Sequence, residues 1–178
     1  MAIIAQWAPL ADAIRTYNRE VERPFLTHSD SQIFQSLPGA GKRLAPRLLA
    51  EWGDDRTRYF LHEAVAALAG TSPVPFQSGR FVRARKRMAC VKPFRDALYR
   101  FAWLSTHSEP WAKDYYNRKR SHGKSHSVAV RALSNVWYAS SMACGAATSL
   151  IVATSSLRLR PNMLRLPNIL DFQGPLLT

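Results

Sequence analysis

Residues 36–53 read SLPGAGKRLAPRLLAEWG, and the apolar residues on both sides of its glycines recur with a helical period. Glycine adopts backbone angles that other residues avoid, so Gly39 and Gly41 allow a tight turn directly after Pro38. The stretch therefore predicts two amphipathic helices joined by a tight turn, the helix-hairpin-helix pattern, with the second helix ending at Gly53. The apolar positions are Ile33, Phe34 and Leu37 before the turn and Leu44, Ala45, Leu48, Leu49 and Trp52 after it.

Two functions are open for this turn. The start of a helix offers free N–H groups and the positive end of its dipole to a phosphate, and Lys42 and Arg43 add charge there. Such contacts hold a nucleic acid backbone without reading its sequence. The alternative is a tight interhelical turn with no ligand. A phosphate-loop nucleotide site is excluded, because that motif requires glycine at position 36 and serine or threonine at position 43, where this chain has Ser36 and Arg43.

The composition indicates one basic domain. The chain has 178 residues, of which 47% are hydrophobic, and this is enough for a single core. Its 25 lysines and arginines exceed its 12 acids and give a net charge of +13 at pH 7, so its field attracts polyanions. We expect nucleic acid as the first candidate partner and an anionic membrane surface as the second.

Targeting, membrane and metal signals are weak. Residues 132–157 are uncharged but interrupted by Ser, Thr and Asn, so we expect no membrane-spanning helix and no membrane partner.

The N-terminus has neither a basic region nor a cleavage site, and we expect a cytoplasmic protein. Cys90 and Cys144 are too few for a disulfide framework. His122 and His126 are four apart, but no carboxylate or cysteine with suitable spacing joins them, so no metal site is expected.

The first thirty residues have the spacing of a helix that packs on another helix. Apolar residues recur at alternating intervals of four and three, and Pro24 is expected to end the helix. The apolar face either packs on its own domain or forms the end of a longer coiled coil, in which case the protein is a homo-oligomer. Its positions are Ile3, Trp7, Leu10, Ile14, Tyr17 and Val21.

The remaining periodic segments also predict helices, so the fold class is mainly α. We expect an Ala-rich helix over residues 61–69 closed by Gly70, a helix from Pro93, another from Pro110, and a third after Ser125. The apolar face of the helix from Pro93 is expected to comprise Phe94, Ala97, Leu98, Phe101, Ala102 and Leu104.

Two segments are expected to lie outside regular structure. Residues 71–83 contain Pro73, Pro75 and Gly79, and these residues favour a loop. The periodicity fades after about Tyr138, and residues 139–178 are expected to form a poorly ordered tail.

A strongly basic segment, PVPFQSGRFVRARKRMAC at residues 73–90, raises two possibilities for Ser78. The first is an ordinary Ser78-Gly79 turn on a solvated basic face. The second makes Ser78 a nucleophile. No nearby His and Asp suggest a protease-type triad, whereas guanidinium groups can clamp a phosphodiester and stabilise its transition state, so phosphoryl transfer fits better than acyl transfer. The basic residues are Arg80, Arg83, Arg85, Lys86 and Arg87.

Several motifs in order resemble one family over about residues 31–138. They are SLPGAGKRLAPRLLAEWG, the proline-led QSG, RMACVKPFRDAL and WAKDYYNRKRSHGKSHSVAVRALSNVW. This part of the chain resembles the carboxy-terminal domain of the bridge-RNA-guided insertion-sequence transposases, the DEDD-type "one-ten" family. Residues 1–30 then correspond to the end of a coiled coil and a linker, and residues 139–178 diverge from the family.

The resemblance implies a function in DNA transposition. It makes Ser78 the nucleophile that becomes linked to a DNA strand end, with Gly79 as the paired glycine, and it implies DNA and bridge-type RNA as partners. Complete members carry magnesium in an amino-terminal RuvC-like domain, which this sequence lacks, so we expect a truncated transposase that does not recombine DNA alone. The basic residues that correspond to nucleic-acid contacts are Arg80, Arg83, Arg85, Lys86, Arg87, Lys119 and Lys124. A non-enzymatic helix-hairpin-helix binding module is the alternative.

Overall fold

The computed structural model describes residues 2–53, 55 and 62–143, and this part of the chain is mainly helical, as the sequence predicts. One small antiparallel sheet interrupts the helices. The elements in chain order are α1 (Ala2–Thr27), α2 (Ser31–Gln35), α3 (Gly41–Trp52), α4 (His62–Leu68), β1 (Val74–Ser78), β2 (Phe81–Arg85), α5 (Lys92–Ser108), α6 (Pro110–Ser121) and α7 (His126–Ala143).

Helix α5 lies at the centre of the core, where it packs against α3, α6 and α7. Pro93 lies in its first turn, where the missing N–H is not needed. The predicted apolar face is confirmed for Phe94, Ala97, Leu98, Phe101 and Ala102, which are all buried.

The prediction for Leu104 is wrong, because this side chain is 40% exposed and Ser105 is buried in its place. Position 105 continues the spacing of three and four residues from Phe101 and Ala102, so the helix turns Ser105 inward. The buried hydroxyl donates to the carbonyl of Ala102 at 2.8 Å and accepts a hydrogen bond from Trp137 Nε1 at 2.9 Å. These partners offset the cost of burying a polar group.

The segment around Gly39 and Gly41 folds as predicted into a short helix (α2), a tight turn and a longer helix (α3). Helix α3 buries Leu44, Leu48 and Leu49 and ends at Gly53. An aromatic series joins the two helices to α5, since the ring of Trp52 lies 6.4 Å from that of Phe34 and 6.0 Å from that of Phe94, both in edge-to-face geometry. The turn is thereby fixed against the core.

The expectation that Pro24 ends the first helix is wrong, because α1 continues to Thr27. A proline within a helix removes one backbone hydrogen bond. Here Phe25, directly after it, is only 6% exposed and belongs to the core, so tertiary packing holds the last turn. The hydroxyl of Thr27 also donates to the Pro24 carbonyl at 2.9 Å.

The expectation of a loop over residues 71–83 is also wrong. Helix α4 is closed by Gly70 as predicted, but β1 and β2 then form an antiparallel hairpin in which Ser78 pairs with Phe81 and Phe76 with Arg83. Pro75 pairs with Ala84. Pairs in an antiparallel ladder alternate between hydrogen-bonded and non-hydrogen-bonded, and Ser78 and Phe81 close the two-residue turn. Pro75 therefore falls in a non-hydrogen-bonded pair, where its missing N–H costs no ladder bond.

Helix α7, the helix predicted after Ser125, buries Ala132, Leu133 and Trp137. Its backbone remains helical to Ala143, five residues beyond the point where the sequence periodicity fades. The rest of the predicted tail lies outside the described residues. None of the described helices is long and apolar enough to cross a membrane.

Candidate nucleic-acid interface

The turn between α2 and α3 places two glycines with positive φ at the surface. Gly39 has φ +78°, and a Cβ added there would lie 3.1–3.2 Å from the backbone and Cβ of Leu104 on α5. Gly41 has φ +57°, and a Cβ added there would meet no atom within 4 Å. Gly39 is therefore required for packing as well as for conformation, whereas Gly41 faces open space through which a ligand can approach.

The start of α3 carries the features that suit a phosphate. In the described part of the chain, the backbone hydrogen bonds leave the N–H groups of Gly41, Lys42 and Arg43 without a carbonyl partner. Both basic side chains are exposed. Lys42 Nζ lies 3.7 Å from Glu22 Oε1 of α1, and the lysine side chain is 88% exposed, so this ion pair is easily exchanged for a phosphate.

Ser78 lies at the tip of the hairpin. The turn contains only Gly79 and Arg80, and Gly79 has φ +57° while no non-glycine residue in the described chain has positive φ. This is the pattern of a type II′ turn, which needs glycine at its first central position. Ser78, Gly79 and Arg80 are all exposed. Ser78 is therefore accessible to solvent.

The aromatic residues of the hairpin are also exposed. Phe76 is 39% exposed and Phe81 49% exposed. The guanidinium carbon of Arg85 lies 3.9 Å from the centroid of the Phe76 ring, which is a close cation–π contact. Arg85 is thus held at the open end of the hairpin, opposite Val74, and not beside Ser78.

The other predicted basic residues occupy different environments. Lys86 follows β2 and is exposed, whereas the side chain of Arg83 lies outside what the structure describes. Arg87 is half-buried, and its buried Nε has no hydrogen-bond partner among the described residues. Of the predicted arginines with described side chains, only Arg80 is brought next to Ser78 by the backbone.

The end of α6 differs from a simple basic face. Lys119 is 4% exposed, and its Nζ lies 5.6 Å from the centroid of the Tyr115 ring. Lys124 is half-buried, and its carbonyl accepts a hydrogen bond from Arg120 at 2.7 Å. Arg118 and Arg120 are exposed beside them, so the accessible charge here belongs to residues that the sequence reading did not single out.

The glycine turn and the hairpin form two separate regions. Gly39 approaches Leu104 near the carboxyl end of α5, whereas the hairpin leads into the amino end of α5 through residues 86–91. At 1.5 Å per residue, the distance along the helix from Lys92 to Leu104 is roughly 18 Å. The points at which the two predicted contact regions meet α5 are thus well separated along the helix.

An aromatic cluster on α5, α6 and α7 was missed by sequence reasoning. Trp103 lies at its centre, with ring centroids 4.8 Å from His126, 5.0 Å from His107 and 5.4 Å from Tyr116. Tyr116 Oη and His126 Nδ1 are 2.9 Å apart. The spacing of Tyr99, Trp103 and His107 at intervals of four along α5 is the signal that could have revealed it.

Burial perturbs two titrating groups beside this cluster. Desolvation raises the pKa of Tyr99 above its usual value, and the nearby Arg131 opposes that shift. Desolvation likewise lowers the pKa of Arg131, with Tyr99 acting against the shift and Arg95 adding to it.

Magnesium has no evident site in this part of the molecule. Among the described residues, no group of three or more His, Cys, Asp or Glu could hold a metal ion. His126 contacts aromatic rings and the Tyr116 hydroxyl. The resemblance places magnesium in the RuvC-like domain, and the described residues of this chain offer no group that fits it.

The fold and surface define a basic, mainly helical domain in which a tight glycine turn joins two helices and an exposed hairpin carries Ser78. Comparison with known proteins gives a family match: residues 31–117 match the model of the Transposase IS116/IS110/IS902 family. The match includes both the glycine turn and the hairpin with Ser78.

Curated proteins that are similar to this chain are consistent with the family match. The chain is 34% identical over 135 residues to the mini-circle putative transposase for IS117 of Streptomyces coelicolor, covering 76% of this chain and 33% of the relative. It is 36% identical over 114 residues to the IS900 uncharacterized 42 kDa protein of Mycobacterium paratuberculosis, covering 64% and 29%. It is 30% identical over 129 residues to the IS116 uncharacterized 44.8 kDa protein of Streptomyces clavuligerus, covering 72% and 32%. The chain thus spans about a third of their length.

Proposed function

We propose that this domain acts in DNA transposition and that the Ser78 hydroxyl attacks a DNA phosphodiester. The observation that carries the proposal is the exposed position of Ser78 at the tip of a basic hairpin inside the region matched by a transposase family.

The charge around the hairpin favours a phosphate over a carbonyl substrate. No acidic residue occurs between Glu63 and Asp96, while that interval contains seven lysines and arginines. Arg80, directly after Gly79, is free to approach the non-bridging oxygens of a phosphodiester. Such groups stabilise the charge that develops as phosphoryl transfer proceeds.

The proposed step is a transesterification. Ser78 Oγ forms a bond to phosphorus, the bond from phosphorus to one strand oxygen breaks, and the proton of the serine hydroxyl ends on that oxygen. The phosphoryl group stays intact and is transferred from the strand oxygen to the serine oxygen. The products are therefore a protein linked to one strand end and a free hydroxyl on the other end.

The glycine turn supplies a second contact with the nucleic acid in this proposal. A Cβ added at Gly41 would meet no atom within 4 Å, and the exposed Lys42 and Arg43 directly follow this glycine. A helix-hairpin-helix element of this kind would hold a phosphate of the backbone and leave the choice of sequence to other parts of the assembly. The family resemblance assigns that choice to a bridge-type RNA, which we include as a proposed partner.

The apolar face of α1 supports a homo-oligomer. Trp7, Leu10, Ile14, Tyr17 and Val21 are between 43% and 73% exposed, and no described element covers them. The packing of this face on its own domain, one of the two possibilities raised by the sequence, is absent from the described residues. Exposed apolar residues at intervals of three and four suit a second copy of the same helix.

The decisive experiment asks whether a protein–DNA adduct depends on Ser78. The chain is supplied with the RuvC-like domain, DNA substrates and bridge-type RNA that the resemblance implies, and adducts are resolved on denaturing gels. We expect an adduct with the natural chain, none with Ser78→Ala, and none with the chain and DNA alone. Ser108→Ala is the matched control, since Ser108 is another exposed serine at the far end of α5. Adduct formation that survives Ser78→Ala would refute the assignment.

A non-enzymatic helix-hairpin-helix binding module is the second candidate. The open space at Gly41 favours it, because backbone binding needs only that turn. This candidate predicts that Gly41→Ala weakens binding to duplex DNA while Ser78→Ala leaves both binding and transposition unchanged. Loss of transposition with intact duplex binding in Ser78→Ala would exclude it.

A further inference from the structure

The face of the hairpin that carries Ser78 also carries two phenylalanines. Side chains alternate between faces along a strand, so Phe76 and Ser78 of β1 share one face. Phe81 pairs directly with Ser78 across the strands, and therefore lies on the same face. We call Phe76, Ser78 and Phe81 the hairpin face. Both rings keep more than a third of their surface exposed.

We propose that Phe76 and Phe81 stack on unpaired nucleobases next to the phosphodiester that Ser78 attacks. The proposal deepens the function proposed above and rests on it, because it names the form of nucleic acid that this site takes. Its ligand is a short single-stranded or locally unpaired segment and not an intact duplex.

The position of the two rings supports this role. Opposite residues in an antiparallel pair have Cβ atoms about 4.5–5.5 Å apart, which brings Phe81 beside Ser78. Phe76 lies two residues back along β1, roughly 6–7 Å from Ser78. A base held by either ring would fix the phosphate that adjoins it within reach of the serine hydroxyl.

The rings are not needed for the core. Each strand of the hairpin packs chiefly on the other, and neither phenylalanine belongs to the buried cluster formed by the helices. Exposed aromatic rings are unfavourable in water, and two on one face indicate a surface that is covered on binding. Arg85, 3.9 Å from the Phe76 ring, adds a planar cation to the same surface.

The charge of the hairpin indicates which ligand the hairpin face binds. Every ionisable residue of the hairpin is an arginine, so the partner is anionic. Proteins that bind single strands combine positive charge with aromatic rings, because the faces of unpaired bases are available for stacking. In a duplex those faces are already covered by neighbouring base pairs, so the rings distinguish unpaired from paired nucleic acid.

The test measures binding without chemistry. The full chain carrying Ser78→Ala is titrated into a fluorescein-labelled single-stranded oligonucleotide, into the same sequence as a blunt duplex, and into vesicles containing anionic lipid. Fluorescence anisotropy reports the oligonucleotides and co-sedimentation reports the vesicles. Each titration is repeated with Phe76→Leu, Phe81→Leu, Phe81→Tyr and, as a control for an exposed apolar residue elsewhere, Leu26→Ala.

We expect each leucine variant to weaken single-strand binding by about fivefold or more, as loss of one stacked base predicts. Duplex binding should change by less than about twofold, since phosphate contacts supply it. Phe81→Tyr keeps an aromatic ring and should bind single strands as strongly as the parent does. Comparing it with Phe81→Leu therefore tests whether the aromatic ring itself, and not merely a change at position 81, determines single-strand binding. Leu26→Ala should change nothing.

Three results would overturn the inference: equal losses for single strand and duplex, no loss of single-strand binding in the leucine variants, or a loss in Phe81→Tyr as large as in Phe81→Leu. Vesicle binding that depends on the two rings more strongly than oligonucleotide binding does would assign the face to a membrane surface instead. Because no adduct is measured, failure of the nucleophile assignment appears only in the adduct experiment and failure of stacking only here.

Discussion

Replacing Gly39 and Gly41, the glycines of the turn between α2 and α3, one at a time by alanine should separate two contributions to the free energy of unfolding. One is the cost of a positive φ in a non-glycine residue, and the other is the cost of a steric clash with α5. A non-glycine residue with positive φ costs about 1–2 kcal/mol, and the loss of chain freedom in the unfolded state offsets about 0.4–1 kcal/mol of this. Gly41→Ala, with no atom within 4 Å of the new Cβ, should therefore destabilise the fold by about 0.5–1 kcal/mol.

Gly39→Ala carries the same backbone cost and a steric one. Its new Cβ would lie 3.1–3.2 Å from Leu104 C, O and Cβ, and two of these atoms are backbone atoms of a packed helix that cannot move independently. Overpacking of this kind costs typically about 1–3 kcal/mol. The variant should thus be less stable than Gly41→Ala by that amount.

Urea unfolding followed by circular dichroism measures both variants. With a slope of about 2 kcal/mol per molar urea, the midpoint of Gly39→Ala should fall about 0.5–1.5 M below that of Gly41→Ala. Leu104→Ala should not rescue Gly39→Ala, because it leaves all three contacting atoms in place. Equal midpoints for the two glycine variants, or rescue by Leu104→Ala, would refute the packing argument.

Three further predictions concern charge, assembly and pH. Affinity for duplex DNA should fall by orders of magnitude between about 50 and 200 mM salt, and Lys42→Ala should reduce the logarithmic salt slope by about one; a flat salt response would contradict phosphate binding. Replacing Leu10 and Ile14 by serine should reduce the mass measured by light scattering, and an unchanged mass would argue against assembly through α1. Burial raises the pKa of Tyr99 in the fold, so the contribution of neutral Tyr99 to stability is complete below the usual tyrosine pKa of 10.0 and is lost as pH rises through the higher folded value. The free energy of unfolding should accordingly fall less above pH 10 in Tyr99→Phe, which urea titrations at several pH values would show.

Local sequence patterns predicted the helices well, because the period of three and four depends only on neighbours along the chain. The starts of α5, one residue before Pro93, and of α6, at Pro110, followed from the tolerance of proline in a first turn. The failures occurred where packing overrode a local rule. Phe25 holds the end of α1 in the core beyond Pro24, and Leu104 lies just outside the face that Ser105 completes.

The hairpin was missed although its signal was present. Gly79-Arg80 between alternating residues is a two-residue turn with glycine first, but Pro73 and Pro75 argued for a loop. Whether a proline interrupts a ladder depends on its register with the partner strand, and that register exists only once the strands pair. The position of Ser78 at the tip therefore could not be read from its motif.

The sequence by itself determined the mainly α class, the glycine turn, the surplus of positive charge and the family motifs, since each depends on composition or on residues close together in the chain. Only the tertiary structure decided which basic residues are accessible: Lys119 of α6 is buried, whereas Arg80 and Arg85 of the hairpin are exposed. Exposure depends on the elements that pack around a side chain, and those come from distant parts of the sequence. The same packing brings the glycine turn against α5 near its carboxyl end, whereas the hairpin is joined by the chain to the amino end of that helix.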